Sequence, residues 1–229
     1  DIKILDLSTG TGNVAIALSQ KYPQAHITAV DLSQGMLEQA KNNVLNQLGR
    51  GGKNIEFYQC DAEKLPYEDE TFDLITCGYA LFFYPEMEAT YQAICKKIKQ
   101  GGVFAFSSFT QEAFSPYAEM CLQRLEADYQ IEAPRLMMER LKTISQMDAL
   151  AALSHPKKIE IKHHPIRYEI TLSDWWDLLN NAGYKGLLDQ LTAEQLNQFK
   201  KTHLADIDAM VTNQRFELNA DTLFGFVQV

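Results

Sequence analysis

The stretch Ile4-Leu5-Asp6-Leu7-Ser8-Thr9-Gly10-Thr11-Gly12-Asn13 constrains this chain most. An apolar run breaks into a turn with two glycines, the signature of a strand handing over to a helix. A second apolar run, Ile27 to Val30, ends in Asp31. The glycines let backbone approach a ligand closely, and an acid at the tip of the next strand can hold a ribose diol. The pair of features predicts a nucleotide-like ligand at the carboxyl edge of a parallel sheet.

The rest of the first half fits that frame. Strands are expected at about 3–7, 27–31, 54–59, 72–78 and 103–108. A helix over 34–48 puts Leu37, Ala40, Val44 and Leu48 on one face, with Ser33 as its N-cap. Another opens at Pro85-Glu86 and carries Met87, Tyr91, Ile94 and Ile98 on one stripe. It is expected to close through Lys96, Lys97 and Lys99 on Gly101-Gly102. Strand–helix alternation at this spacing implies right-handed crossovers and a parallel sheet.

After Phe109 the pattern changes. Residues 112–153 read as helical, broken at Pro116 and Pro134, and contain Met120, Met137, Met138 and Met147. Thioethers suit a cover over an apolar ligand as well as an adaptable core. A hairpin or bent strand is expected at 157–170, then a helix capped by Ser173, stopped by Gly183 and carrying Trp175 and Trp176. Thr192-Ala-Glu-Gln195 is a capping-box pattern opening another helix, and Leu223 to Val229 reads as a closing strand. The chain is thus expected as one domain in three parts: a ligand-binding core over 1–109, a helical lid over 110–155, and a part over 156–229 that completes the sheet.

Bulk properties remove several classes. A chain of 229 residues, 46% hydrophobic, can bury one sizeable core. Its net charge of -9 and its lack of a basic stripe argue against a nucleic-acid partner. No run of about 18 apolar residues predicts a membrane span. Cys60, Cys77, Cys95 and Cys121 lack metal-site or redox spacing, so no metal is expected and a reduced cytoplasmic setting is the default. Because the first strand begins so close to residue 1, further chain is expected before it.

Gly10-Thr-Gly12-Asn-Val-Ala15 also fits a dinucleotide fingerprint, so this segment alone does not separate NAD from S-adenosylmethionine. Other residues decide. Asp6, four residues before Gly10, would repel a pyrophosphate and attract an ammonium, directly or through water. Asp61 can accept from an adenine amino group while the Ala62 N–H donates to the ring. Gly78 ends the fourth strand with backbone open to a ligand.

With these motifs the chain resembles the class I S-adenosylmethionine-dependent methyltransferases. It is most similar to the small-molecule group that includes the ubiquinone/menaquinone-biosynthesis C-methyltransferases. The likeness rests on Asp6-Leu-Ser-Thr-Gly-Thr-Gly12, Asp31, Asp61-Ala62 and Gly101-Gly102, and covers about residues 1–109. It implies a doubly wound, mostly parallel seven-stranded sheet with an antiparallel last strand, a Rossmann-like α/β fold, and S-adenosylmethionine as cofactor. It places Asp6, Ser8, Gly10, Gly12, Asp31, Leu32, Met36, Asp61, Ala62 and Gly78 at the cofactor, with Met36 beside the adenine. Ser8 departs from the family, which has glycine there. The implied reaction is methyl transfer to a small-molecule acceptor, an apolar one if the methionine-rich segment covers it. The alternatives are an NAD-dependent oxidoreductase and a non-catalytic cofactor-binding module. The sulfonium methyl is already electrophilic, so no catalytic residue is demanded; Tyr79, His155 and His164 are candidates by residue type and position. His163 and His164 would point to opposite faces of a strand. Neither the acceptor nor the oligomeric state is legible.

Overall fold

Alternation of apolar residues along the first strand sets two cores. In β1 (Lys3–Leu7), Ile4 joins one buried cluster, with Ala15, Ile27, Ala29 and Val44, while Leu5 and Leu7 join another, with Ile75, Tyr91 and Phe104. A strand buried on both faces reads as a continuous apolar run, and needs helices on each side. The computed structural model describes residues 2–134, 139–181 and 183–229 and supplies those helices.

The chain divides into two units. The first comprises the residues through Phe109, Leu141–His163 and Leu223–Val229; the second comprises Thr110–Arg140 and His164–Thr222. The stretch expected as one lid over 110–155 is therefore shared between them. Met147 packs in the core of the first unit and Met120 against that of the second, while Met137 and Met138 lie outside the described residues.

In the first unit β1 is followed by α1 (Asn13–Lys21), β2 (His26–Asp31), α2 (Gln34–Leu48), β3 (Ile55–Gln59), β4 (Phe72–Gly78), α3 (Met87–Lys96) and β5 (Ile98–Phe109). Two further strands, β6 (Lys158–His164) and β9 (Thr222–Gln228), complete a seven-stranded sheet in the order β3-β2-β1-β4-β5-β9-β6. The pairs β1–β2, β1–β4, β2–β3 and β4–β5 are parallel. Gly101 N–H, early in β5, donates to the carbonyl of Val229, just past the end of β9, so β9 runs antiparallel to β5. Lys157 N–H, before β6, donates to the carbonyl of Gln228, so β6 starts at the same sheet edge as β1. The helix α5 (Ile144–Ala152), which follows α4 (Tyr117–Tyr129) of the second unit in the chain, contributes Met147, Leu150 and Ala151 to the core beside Met87, Tyr91 and Ile94 of α3.

The second unit holds α4 (Tyr117–Tyr129), β7 (Arg167–Thr171), α6 (Leu172–Asn181), α7 (Lys185–Leu188), α8 (Ala193–Asp208) and β8 (Arg215–Asn219). Strands β7 and β8 form a separate antiparallel pair, and the helices close on Cys121, Leu125, Trp175, Leu179, Phe199 and Ile207. Among the described residues no helix is long and apolar enough to cross a membrane.

Several local expectations change. The helix α3 ends at Lys96, and Gly101 at φ 81° lies inside the long strand β5, where the register with β4 shifts between Phe72 and Leu74. The 157–170 stretch is not a hairpin: β6 and β7 belong to different sheets. Helix α6 is fixed at its start by Thr171 and Asp174, each bonding the other's backbone N–H, rather than by Ser173. The Thr192–Gln195 capping box is formed in full, and Ser33 caps α2 by accepting from Met36 N–H at 3.3 Å.

Candidate active site

Strand order reverses at β1, whose neighbours β2 and β4 lead to opposite sides of the sheet. Outside the carboxyl ends of such strands the flanking loops part, and ligands enter there. The loop after β1 occupies this place. Its backbone is held in left-handed conformations at Ser8 (φ 48°), Gly10 (φ 55°) and Gly12 (φ 84°). A Cβ built on Gly10 would meet no atom within 4 Å, so that position faces open space. One on Gly12 would stand 3.0 Å from the Ala40 Cβ, because α1 and α2 pack closely there. The two glycines thus do separate jobs: one gives an open approach, the other allows helix packing.

Asp31, at the end of β2, ties this loop to its neighbour. Its Oδ2 accepts from Gly10 N–H at 2.9 Å and its Oδ1 from Ser33 N–H at 2.9 Å. A carboxylate has about four acceptor sites, so two such bonds leave it able to accept more. Cys60 N–H donates to the Asp31 carbonyl at 3.0 Å, which brings the β3 exit beside it. There Asp61 caps a short 3-10 turn, accepting from Glu63 N–H at 2.9 Å, and Ala62 is buried under it. Beside Asp31, Leu32 is 68% exposed and Met36 41% exposed, two apolar side chains left in water around a polar loop. Gly78, at the end of β4, has its Cβ position 3.5 Å from Val14, in the first turn of α1.

Asp6 lies at the base of the same loop. It is buried, with Oδ2 accepting from the Thr9 hydroxyl and Oδ1 from the Thr76 hydroxyl, each at 2.6 Å. Burial pushes its carboxyl up to about 6, against the lowering effect of those hydroxyls and of Ala15 N–H, with Asp31 nearby raising it further. It props the glycine loop from beneath through Thr9. Thr9 and Thr76 were missed as parts of this arrangement. Thr76 pairs with Asp6 in the β1–β4 register, so a polar residue at the matching point of an apolar strand was the available signal.

The catalytic candidates separate. Tyr79 follows β4 at φ 53°, donates its N–H to Ser107 and stacks on Phe109 with ring centroids 4.3 Å apart, so it stands at the carboxyl edge next to the crevice. Strained non-glycine residues of this kind collect at functional sites. His155 precedes β6 and lies at the opposite edge of the sheet, where β5 starts and β9 ends. His164 ends β6 at the carboxyl edge, but three strand spacings from β4, on the order of 14 Å. Both histidines are exposed, and the fold does not bring them to the crevice.

The methyltransferase domain family matches residues 1–178 of the 229. The chain belongs to that family. A ubiquinone/menaquinone biosynthesis C-methyltransferase of Desulfotalea psychrophila is 37% identical over 100 residues, covering 44% of this chain and 38% of that protein. A malonyl-[acyl-carrier protein] O-methyltransferase of Geobacter sulfurreducens is 35% identical over 112 residues, covering 49% and 40%. The matches thus span about two fifths of these relatives. A putative methyltransferase from an antibiotic biosynthesis pathway of Anabaena variabilis has the same fold, with a TM-score of 0.66 at 16% identity over 100% of this chain and 91% of that one. A Haemonchus contortus phosphoethanolamine N-methyltransferase, solved with S-adenosylhomocysteine, gives 0.58 at 15% identity over 99% and 48%. The fold is the class I methyltransferase fold: a mostly parallel seven-stranded sheet with one antiparallel strand.

Proposed function

We propose that this protein binds S-adenosylmethionine and transfers its methyl group to a small-molecule acceptor. One observation carries the reading: the open backbone of Gly10 lies within a hydrogen bond of Asp31, at the point where strand order reverses. In this reading the free acceptor sites of Asp31 take the ribose hydroxyls. Asp61 and the Ala62 N–H address the adenine edge, and Leu32 and Met36 lose their exposure by covering its faces. The Gly78 carbonyl and the Ser8 hydroxyl face the amino-acid end, and buried Asp6 favours the ammonium there.

The bound cofactor supplies an electrophilic methyl on a sulfonium centre. The protein's share is to hold donor and acceptor in line and to exclude water, and positioning of this kind is worth about 7–11 kcal/mol of barrier. Tyr79, Ser107 and Phe109 form the wall beside the crevice where an acceptor would lie. An acceptor that is already a good nucleophile needs no base, so the distance of both histidines from the crevice is no obstacle. The matched relatives' names include carbon and oxygen methylation, which leaves the methylated atom to experiment. A dinucleotide would bring its pyrophosphate towards Asp6 and Asp31, two carboxylates with no lysine or arginine bonded to them among the described residues. Four unpaired thiols are consistent with a reducing cytoplasmic setting.

The test is turnover with methyl-labelled S-adenosylmethionine against quinol-like, phenolic, carboxylic and amine acceptors. Label should pass to one acceptor class, with S-adenosylhomocysteine released in equal amount. Cofactor binding with no transfer to any of them would favour the non-catalytic module.

A further inference from the structure

Ser8 is the irregular residue of the glycine loop, and the structure gives it a partner. Its Oγ lies 2.8 Å from the Tyr84 hydroxyl, across 76 positions of sequence. Tyr84 is buried, follows the short turn after β4, and packs in the first unit's core with Cys77, Leu81 and Met87. Its hydroxyl also lies 3.7 Å from the Cys77 Sγ, at the end of β4. A buried phenol is expensive to leave without a polar partner, and burial holds both groups protonated: the Tyr84 phenol is raised well above its ordinary range and the Cys77 thiol is pushed up to about 12. All three groups are therefore neutral and can serve as both donor and acceptor.

A glycine at position 8 would have no such bond. A serine there must keep φ at 48°, an unfavoured conformation for a residue with a Cβ, and something must hold it. We propose that Tyr84 is a positioning residue for cofactor binding: its hydroxyl struts the loop after β1 against the segment after β4 and holds Ser8 at the methionine end of the cofactor. The proposal rests on the function above. It explains how the chain keeps a glycine-type loop shape without the first glycine: the hydroxyl pair at Ser8 adds to the Asp31 and Asp6 bonds that hold the rest of the loop.

The test is a double-mutant cycle with Tyr84→Phe, Ser8→Ala and both together, measuring S-adenosylhomocysteine affinity by calorimetry and the melting temperature without ligand. Tyr84→Phe keeps the ring and removes the hydroxyl, with its bond to Ser8 and its contact with Cys77, so the comparison with Ser8→Ala isolates the strut. It should weaken binding about fivefold, and adding Ser8→Ala should cost little more, because both changes cut one bond. A role confined to core packing would lower the melting temperature and leave affinity untouched. Unchanged affinity in Tyr84→Phe, or strictly additive losses, would overturn the proposal. A wild-type protein that binds no S-adenosylhomocysteine would overturn the function itself, and the strut with it.

Discussion

Asp6 should make the first unit less stable as the solution is made less acidic, and replacing it by asparagine should remove that trend. Its carboxyl is raised from 3.8 to about 6 by burial. The folded protein thus favours the protonated form. The associated stability is fully present below 3.8 and is lost as pH rises through 6. Roughly two pH units at 1.36 kcal/mol each give about 3 kcal/mol in total. Between pH 4.5 and 7 the same relation leaves about 2 kcal/mol. In Asp6→Asn the Thr9 and Thr76 hydroxyls can rotate to suit an amide, and no charge remains to be desolvated. The assay is urea unfolding followed by far-ultraviolet circular dichroism, because both tryptophans, Trp175 and Trp176, belong to the second unit. The stability difference between wild type and variant should shift by about 2 kcal/mol over that range, in the variant's favour at pH 7. Ligand binding should move the other way: affinity for S-adenosylhomocysteine should rise as Asp6 ionises, and the variant should lose that rise. Parallel pH profiles for the two proteins would refute the placement of a strained, buried carboxylate beneath the loop.

The second unit should show the opposite dependence. Trp175 Nε1–H donates to Nε2 of buried His203 at 3.0 Å, and burial pushes this imidazole down to about 4. A depressed base contributes stability above its unfolded value near 6.5 that fades as pH falls towards 4, so tryptophan-detected unfolding should become easier with acid, and His203→Gln should flatten the profile. The two loop glycines should also part company. Gly12→Ala combines the left-handed φ with a 3.0 Å approach to Ala40 and should cost about 2–3 kcal/mol of stability, whereas Gly10→Ala, with open space around it, should cost only about 1–2 kcal/mol. Thermal melts of both variants check the order.

The sheet core was legible because each layer of the sequence agreed. The apolar runs at 3–7, 27–31 and 72–78 stand where β1, β2 and β4 were found, since strands buried on both faces leave continuous apolar stretches. Helix α2 was readable to the residue from Ser33 and its apolar stripe. What failed was information held by partners. Nothing local shows that β6 joins β9 while β7 turns away to β8, because pairing choice is made by distant strands. The start of β5 at Ile98 was hidden by Gly101-Gly102, which bends the strand instead of ending the helix. Within the site, Asp31 and the glycines were visible as a motif, but the hydroxyls around Asp6 and the bond from Tyr84 to Ser8 depend on register across 70 and 76 residues.

We propose above that the loop between Asp6 and Asn13 is an S-adenosylmethionine site. Calorimetric titration with S-adenosylhomocysteine and with NADH, on the wild type and on Asp31→Ala, tests it most directly. One molecule of S-adenosylhomocysteine should bind per chain, with no heat from NADH and at least a tenfold loss of affinity in Asp31→Ala, about 1.4 kcal/mol or more. Binding of NADH in preference, or S-adenosylhomocysteine affinity indifferent to Asp31, would contradict it.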